Sequence, residues 1–280
     1  MLAEELIRAG RPAAAIAELQ QEVRRRPADA RLRVFLFQVL AVAGQWQRAL
    51  TQLNVAADLD ESNLLMAQVC RDALQCEALR AEVFAGRRSP VIFGEPSPWI
   101  SWLLRAIQLL AANEIEEAVA LRDRAFEAAP AVGGTINGEA FEWIADADGR
   151  LGPVLEAIIA GRYLWVPFPA IRMIRLEPPT DLRDLVWIPA TMVWTNGGEA
   201  AALIPSRYAN STESDDESVV MASKTIWTNV APNLQVGLGQ RTFATDAGDF
   251  PLLEVREIIW FSEDAERASR GDEGLEPRDE

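Results

Sequence analysis

The chain has 280 residues, 49% of them hydrophobic, with 42 acidic residues against 27 basic ones and a formal net charge of -15. That balance repels polyanions over most of the surface and argues against nucleic acid as a ligand. Histidine is absent, which removes imidazole-based triads, proton shuttles and His metal ligands. Cys70 and Cys76 are the only thiols; on a helix they fall on different faces and read as reduced core residues. No apolar run approaches the roughly 20 residues that a membrane helix needs. Residues 1–5 lack the basic start and apolar block of a secretory signal, so the expected location is the cytoplasm, with no membrane association. A chain of this length can bury one large core or two modest ones, and a two-part division is expected. Residues 1–130 read as an all-α domain, 131–262 as a β-rich domain and 263–280 as an acidic, solvated tail, which makes the fold class α+β.

Residues 1–61 carry an internal repeat. Gly10, Ala15, Leu19 and Pro27 align with Gly44, Ala49, Leu53 and Glu61 at a constant shift of 34 residues, the tetratricopeptide period. The glycine ends the first helix of each pair, and the alanine sits where the two helices approach closely. An offset third copy keeps the spacing with Asn113, Ala118, Ala125 and Pro130, after a first helix that begins near Trp99. Between the copies, residues 62–85 predict one long helix or two short ones, and residues 86–98 a Gly- and Pro-bearing connector. In such a stack the first helix of each pair lines the concave side. That rule places Arg31, Val34, Gln38 and Ala41 there in copy two, and Ile100, Leu103, Ile107 and Leu110 in copy three. The third-copy helix is apolar nearly all round, because Trp102, Ala106 and Leu109 already form its packing face. Its second side needs cover, from the C-terminal half or from a partner's amphipathic helix. The candidate partner-binding residues are therefore Arg31, Val34, Gln38, Trp99, Ile100, Leu103, Ile107 and Leu110.

After Pro130 the hydrophobic period shortens toward two. Gly133-Gly134 and Asn137-Gly138 punctuate a first hairpin, and Asp146-Ala147-Asp148-Gly149 favours a turn. Residues 153–161 predict a helix: Pro153 fits its first turn, Gly161 its end, and Val154, Leu155, Ile158 and Ile159 share a face. Residues 163–166 read as a strand covered on both sides, and residues 171–176 as another, broken by Pro178-Pro179. Residues 186–195 and 199–204 flank Asn196-Gly197-Gly198, a hairpin signal. An acidic loop with Glu213, Asp215, Asp216 and Glu217 precedes strands over 225–228, 240–244 and 252–261. About eight short strands in all argue for a curled sheet or small barrel with one inserted helix.

The best carboxylates for chemistry are Asp146 and Asp148 in one turn and Asp246 and Asp249 in another. If those turns met, the four could hold a hard cation or share a proton, as in a metal-dependent hydrolase. Local capping of backbone N–H groups is the more economical reading of aspartates in turns. Gly237-Leu238-Gly239 lacks the third glycine of a dinucleotide loop, and no serine sits in a Gly-x-Ser-x-Gly elbow. No catalytic residue, cofactor or metal site is assigned, and the chain reads as a non-enzyme.

Several strings of uncommon residues carry a resemblance. They are residues 141–168; Asp181-Leu182-Arg183-Asp184-Leu185-Val186-Trp187; Ala202-Leu203-Ile204-Pro205-Ser206-Arg207-Tyr208; Gly237-Leu238-Gly239-Gln240-Arg241; and Ala244-Thr245-Asp246-Ala247-Gly248. Phe93-Gly94-Glu95-Pro96, followed by Trp99 and Trp102, adds an upstream match. Together they resemble the ImpE/TagJ family, the SciE-type virulence proteins, which are accessory proteins of the bacterial type VI secretion system. The resemblance implies a binding role. The implied partner is the small contractile-sheath subunit (TssB/VipA-like), engaged through its N-terminal helix, with an effect on sheath assembly or on recycling by the ClpV unfoldase. Arg150, Arg162, Arg183, Arg207 and Arg241 recur inside these strings. Buried pairing with carboxylates such as Asp146, Asp148 or Asp184 accounts for them better than substrate binding does.

Overall fold

Residues in the left-handed region follow the first helix of each pair in the N-terminal part. The computed structural model describes residues 1–95 and 97–261; the acidic tail expected over 263–280 lies outside the described residues. Helices α1 (Leu2–Arg8) and α2 (Pro12–Arg25) form one pair, and α3 (Ala30–Val42) and α4 (Trp46–Leu59) a second. A single long helix, α5 (Leu64–Phe84), follows; β1 (Val91–Ile92) then leads to the pair α6 (Pro98–Ala111) and α7 (Ile115–Ala128). The first helix of each pair stops at Gly10 (φ 70°), Gly44 (φ 69°) or Asn113 (φ 63°), and α5 stops at Gly86 (φ 71°). At Gly44 the backbone N–H donates to Ala41 O at 3.1 Å and that of Gln45 to Leu40 O at 2.8 Å, which satisfies carbonyls that the helix end leaves open. Ala15, Ala49 and Ala118 are fully buried, as close approach of paired helices requires.

The remainder is mostly strand: β2 (Gly134–Ile136), β3 (Glu139–Phe141), β4 (Ile144–Asp146), β5 (Val154–Ile159), β6 (Arg162–Pro167), β7 (Ile171–Leu176), β8 (Trp187–Trp194) and β9 (Glu199–Pro205). A short helix α8 (Glu217–Val220) then precedes β10 (Thr225–Ala231), β11 (Leu234–Gly239), β12 (Thr242–Thr245), β13 (Asp249–Pro251) and β14 (Glu257–Trp260). Nine strands form one sheet in the order β1-β6-β5-β9-β8-β7-β14-β2-β3. β13-β12-β4 form a three-stranded sheet, and β10-β11 a separate ribbon. The hairpins expected at Asn137-Gly138 and Asn196-Gly197-Gly198 join β2 to β3 and β8 to β9.

Two expectations are corrected. The large sheet is open, ending at β1 and β3, and is not a barrel; the connector itself supplies β1, which pairs in parallel with β6. The helix expected over 153–161 is strand β5, paired with β6 on one side and β9 on the other. Apolar residues at 154, 155, 158 and 159 fit a helix face and equally a strand buried on both faces, and a run this short leaves periodicity unable to decide. Gly161 (φ 72°), with Ala160 (φ 48°), turns the β5–β6 hairpin.

The alternation along β5 and β6 sorts side chains between two cores. Val154, Ile158, Tyr163 and Trp165 join Trp187 and the helices on one face. Leu155, Ala157, Leu164 and Val166 join Ile188, Met192, Phe243 and Ile258 on the other. The helical layer and the large sheet therefore share one core. Gly44 illustrates the closeness of that packing, because a Cβ there would come within 2.5–2.8 Å of the Thr212 side chain, whereas one at Gly10 would meet nothing within 4 Å. Gly10→Ala should cost about 1–2 kcal/mol from the left-handed backbone alone. Gly44→Ala should lose a further 1–3 kcal/mol or so through overpacking. Urea unfolding of both variants checks the ranking, and equal losses would contradict the packing described.

Candidate partner-binding groove and buried charge network

Helix α3 carries the open face of the N-terminal part. Asp29 caps it, accepting from Leu32 N at 3.2 Å. Arg31, Val34, Phe35 and Gln38 line a groove of about 680 Å³, completed by Met1 and Glu4 at the start of the chain and by Asp60, Ser62 and Asn63 at the α4–α5 corner. The Gln38 amide donates to both Asp181 carboxylate oxygens at 3.1 and 3.0 Å. Arg183 grips the same carboxylate at 2.8 and 3.0 Å, so Asp181, and not Asp184, is its partner. The other candidates lie elsewhere. Trp99, Ile100, Leu103 and Ile107 are buried within the chain, and Leu110 is half-buried. Helix α6 is covered from inside by the core it shares with α5 and the sheet, which takes those residues out of any open groove.

A second constellation lies where α5 meets the sheet. Arg80 donates to Glu156 in a two-pronged contact, at 2.6 and 2.9 Å, and to Arg207 O at 2.7 Å. Glu156 also accepts from Tyr163 OH at 2.5 Å, which in turn accepts from Trp165 Nε1 at 2.8 Å. Arg241 bridges Glu156 and Asp146, all three with fully buried side chains. Asp148 pairs with Arg150 and accepts from Gly237 N at 3.0 Å. Glu77 accepts from Trp187 Nε1 at 2.8 Å. Arg207 has carbonyls as partners: it donates to Val42 O at 2.6 Å and to Val220 O, and burial lowers its pKa to about 10. Arg162, by contrast, is exposed.

These carboxylates are committed to structure. Asp246 accepts from the backbone N–H groups of Glu142 and Trp143 at 2.7 and 3.3 Å, a local cap; Asp249 is exposed. The four aspartates weighed for metal chemistry thus split into a buried arginine-bound pair and an outer pair. Among the described residues no group of three or more His, Cys, Asp or Glu side chains is disposed to hold a metal. Sequence reading missed Arg80, Glu77 and Glu156. The available signal was Glu156 itself, a lone acid inside an apolar strand run, which must find a buried cation.

Burial alone would raise the Glu156 carboxyl, but Arg80 and Arg241 outweigh it and hold it near 2, below its ordinary 4.5. Burial lifts Asp146 to about 7 against the pull of Arg241. The two have opposite signs. Stability from Glu156 is complete above the unfolded value and is lost as pH falls toward 2, whereas ionising Asp146 costs stability as pH rises toward 7. Glu156→Gln should be less stable than the parent by about 3–5 kcal/mol at neutral pH, since it strands two guanidiniums. In urea titrations that gap should narrow steadily as pH is lowered below 4.5. A gap independent of pH would contradict the pairing.

Comparison with known proteins places this architecture. The ImpE protein family profile matches residues 138–259, which include β5, Asp146, Glu156, Arg207 and Arg241. The type VI secretion system accessory component TagJ of Pseudomonas aeruginosa is 52% identical over 267 residues, covering 95% of this chain and 93% of that protein. The crystal structure of protein VPA1032 from Vibrio parahaemolyticus superposes with a TM-score of 0.86 at 22% identity, over 94% of this chain and 98% of that one; it shows the fold is shared. Identity of this extent, together with the family match across the strand-rich half, establishes that the chain belongs to the ImpE/TagJ family.

Proposed function

We propose that this protein is an accessory component of a bacterial type VI secretion system that works in the cytoplasm by binding and performs no catalysis. The observation that carries the reading is the 52% identity, over almost the whole chain, to a relative named for that role. In this reading residues 1–130 form a tetratricopeptide-like arm and residues 131–262 a strand-rich body, fused through their common core. The arm receives an amphipathic helix, the N-terminal helix of the small sheath subunit (TssB/VipA-like), and so influences sheath assembly or its recycling by ClpV.

The α1–α3 groove supports the assignment chemically. Its floor has Leu32, Val34 and Phe35, and its rim has Arg26, Asp29, Arg31 and Asp60. An apolar floor with a charged rim of both signs suits a helix with one apolar stripe. A second surface of related character lies along α5, where Leu65 is 80% exposed and Val69 faces Pro189 and Leu203 of the sheet.

Calorimetric titration of the full chain with a peptide copy of that sheath helix tests the proposal. Binding is expected, with Val34→Glu weakening it at least about tenfold, or 1.4 kcal/mol; Val34 is half-buried, so the melting temperature of the variant is read alongside to separate lost binding from lost folding. Absence of binding at high micromolar concentration would remove the sheath subunit as partner. Binding that survives Val34→Glu but is lost in Leu65→Glu would move the site to the α5 surface.

A further inference from the structure

The β10–β11 ribbon has one edge committed and one edge open. On the β11 side, Gly149 N donates to Gln235 O at 2.9 Å, Gly237 N to Asp148 Oδ2 at 3.0 Å and Gly239 N to Ser211 Oγ at 2.8 Å, while Gly239 O accepts from Tyr208 N at 3.0 Å. These groups all point away from β10. In an antiparallel pair, residues directly opposite one another turn their backbone groups either toward each other or both outward. The register sets Thr225 opposite Gly239, Trp227 opposite Gly237 and Asn229 opposite Gln235, so the N–H and C=O groups of Thr225, Trp227 and Asn229 face outward along the far edge of β10. Among the described residues no other strand pairs with that edge, and no other backbone group hydrogen-bonds to it.

Such an edge invites another strand, and proteins ordinarily blunt it with charge, proline, a bulge or a covering element. Here β10 is rich in β-branched residues, and residues 225–240 contain no Asp, Glu, Lys or Arg. Its bulge lies past Asn229, and Trp227, Thr228, Asn229 and Val230 are exposed. The ribbon is held firmly from beneath: the Trp227 ring lies 5.5 Å from that of Tyr208, and a Cβ at Gly237 would come within 2.3 Å of the same tyrosine. We infer that a second copy of this chain docks on this edge, β10 running antiparallel to its counterpart about a two-fold axis at Trp227. The outward groups are self-complementary in that register: Trp227 stands opposite Trp227 and Thr225 opposite Asn229, so every one of them finds a partner. Charge favours the same occupant. A chain with a net charge of -15 repels its own kind over most of its surface, and this uncharged hairpin sets no like charges opposite one another. The interface uses no residue of the α1–α3 groove and stands independently of it.

Sedimentation velocity of the full chain, from low to high micromolar concentration, tests the inference. A monomer–dimer equilibrium is expected. Asn229→Pro removes an outward N–H and no bond to β11, a change that an edge strand accepts, and should weaken the dimer at least about tenfold with the melting temperature close to the parent's. Cysteine pairing gives an independent reading. In an equimolar mixture of Thr225→Cys and Asn229→Cys, oxidation should yield a crosslinked dimer that neither variant yields alone, because the two positions would stand about 5.5 Å apart between Cα atoms, within reach of a disulfide. That mixture decides the matter if the proline variant does not fold. A chain that stays monomeric throughout overturns the second copy as occupant and hands the edge to an extended segment of another protein. Dimerisation unchanged in folded Asn229→Pro, or crosslinking no greater in the mixture than in either variant alone, would overturn β10 as the interface.

Discussion

Glu156 between two guanidiniums is the interaction on which the rest of the structure depends. It lies in the middle of β5, fully buried, and takes Arg80 from the helical layer and Arg241 from the segment that leads into β12. Removing an isolated carboxylate from water costs far more than any single contact returns, so the site is stable only when both cations are seated. Each cation has further obligations. Arg80 also holds Arg207 O, while Arg241 also holds Asp146 and Pro205 O. The helical layer, the large sheet and the small sheet are consequently tied at one point, and none can shift without leaving a buried charge unpaired.

That junction bears on the groove more than the distance along the sequence suggests. Helix α3 carries the groove, and two contacts from the strand-rich half set its position. Arg207 donates to Val42 O at the helix's last residue, where the partial negative charge of the helix end favours a cation. Asp181, held by Arg183, accepts from Gln38 midway along the helix. Asp181, Arg183 and Arg207 all fall within the residues matched by the ImpE profile. Part of what that region does in this chain is to fix the placement of a helix outside it. A surface presented this way is pre-ordered, which would reduce the entropy lost if a partner associated with it.

Much of this was legible in the sequence, and the gaps have physical causes. Gly10, Gly44 and Asn113 marked helix ends correctly because left-handed termini select for residues that tolerate positive φ. Asn196-Gly197-Gly198 and residues 171–176 read true because turn chemistry and period-two alternation are local signals. β5 did not, because a strand buried on both faces has lost its alternation and only its neighbours β6 and β9 identify it. The same error hid the charge network. Read as a helix, 153–161 puts Glu156 on a solvated face and asks for no partner; read as a buried strand, it demands one. Arg80 gave no local sign, since one arginine on a long helix resembles any other, and its role depends on a contact 76 positions away.

The choice of cation in the interior is itself informative. Lys224 is the only lysine in the chain, and the buried cations Arg80, Arg122, Arg207 and Arg241 are all arginine. A lysine ammonium is a compact point charge that deprotonates readily when buried, and it cannot reach two carboxylates along separate edges. Arg241 does this with Asp146 and Glu156, and stays charged because each acid raises its proton affinity against the cost of burial. Glu156, held near 2 between two guanidiniums, makes a poor proton carrier, because accepting a proton would break two ion pairs with no water to replace them. Glu156 therefore acts as a fastening at the junction of the helical layer and the two sheets.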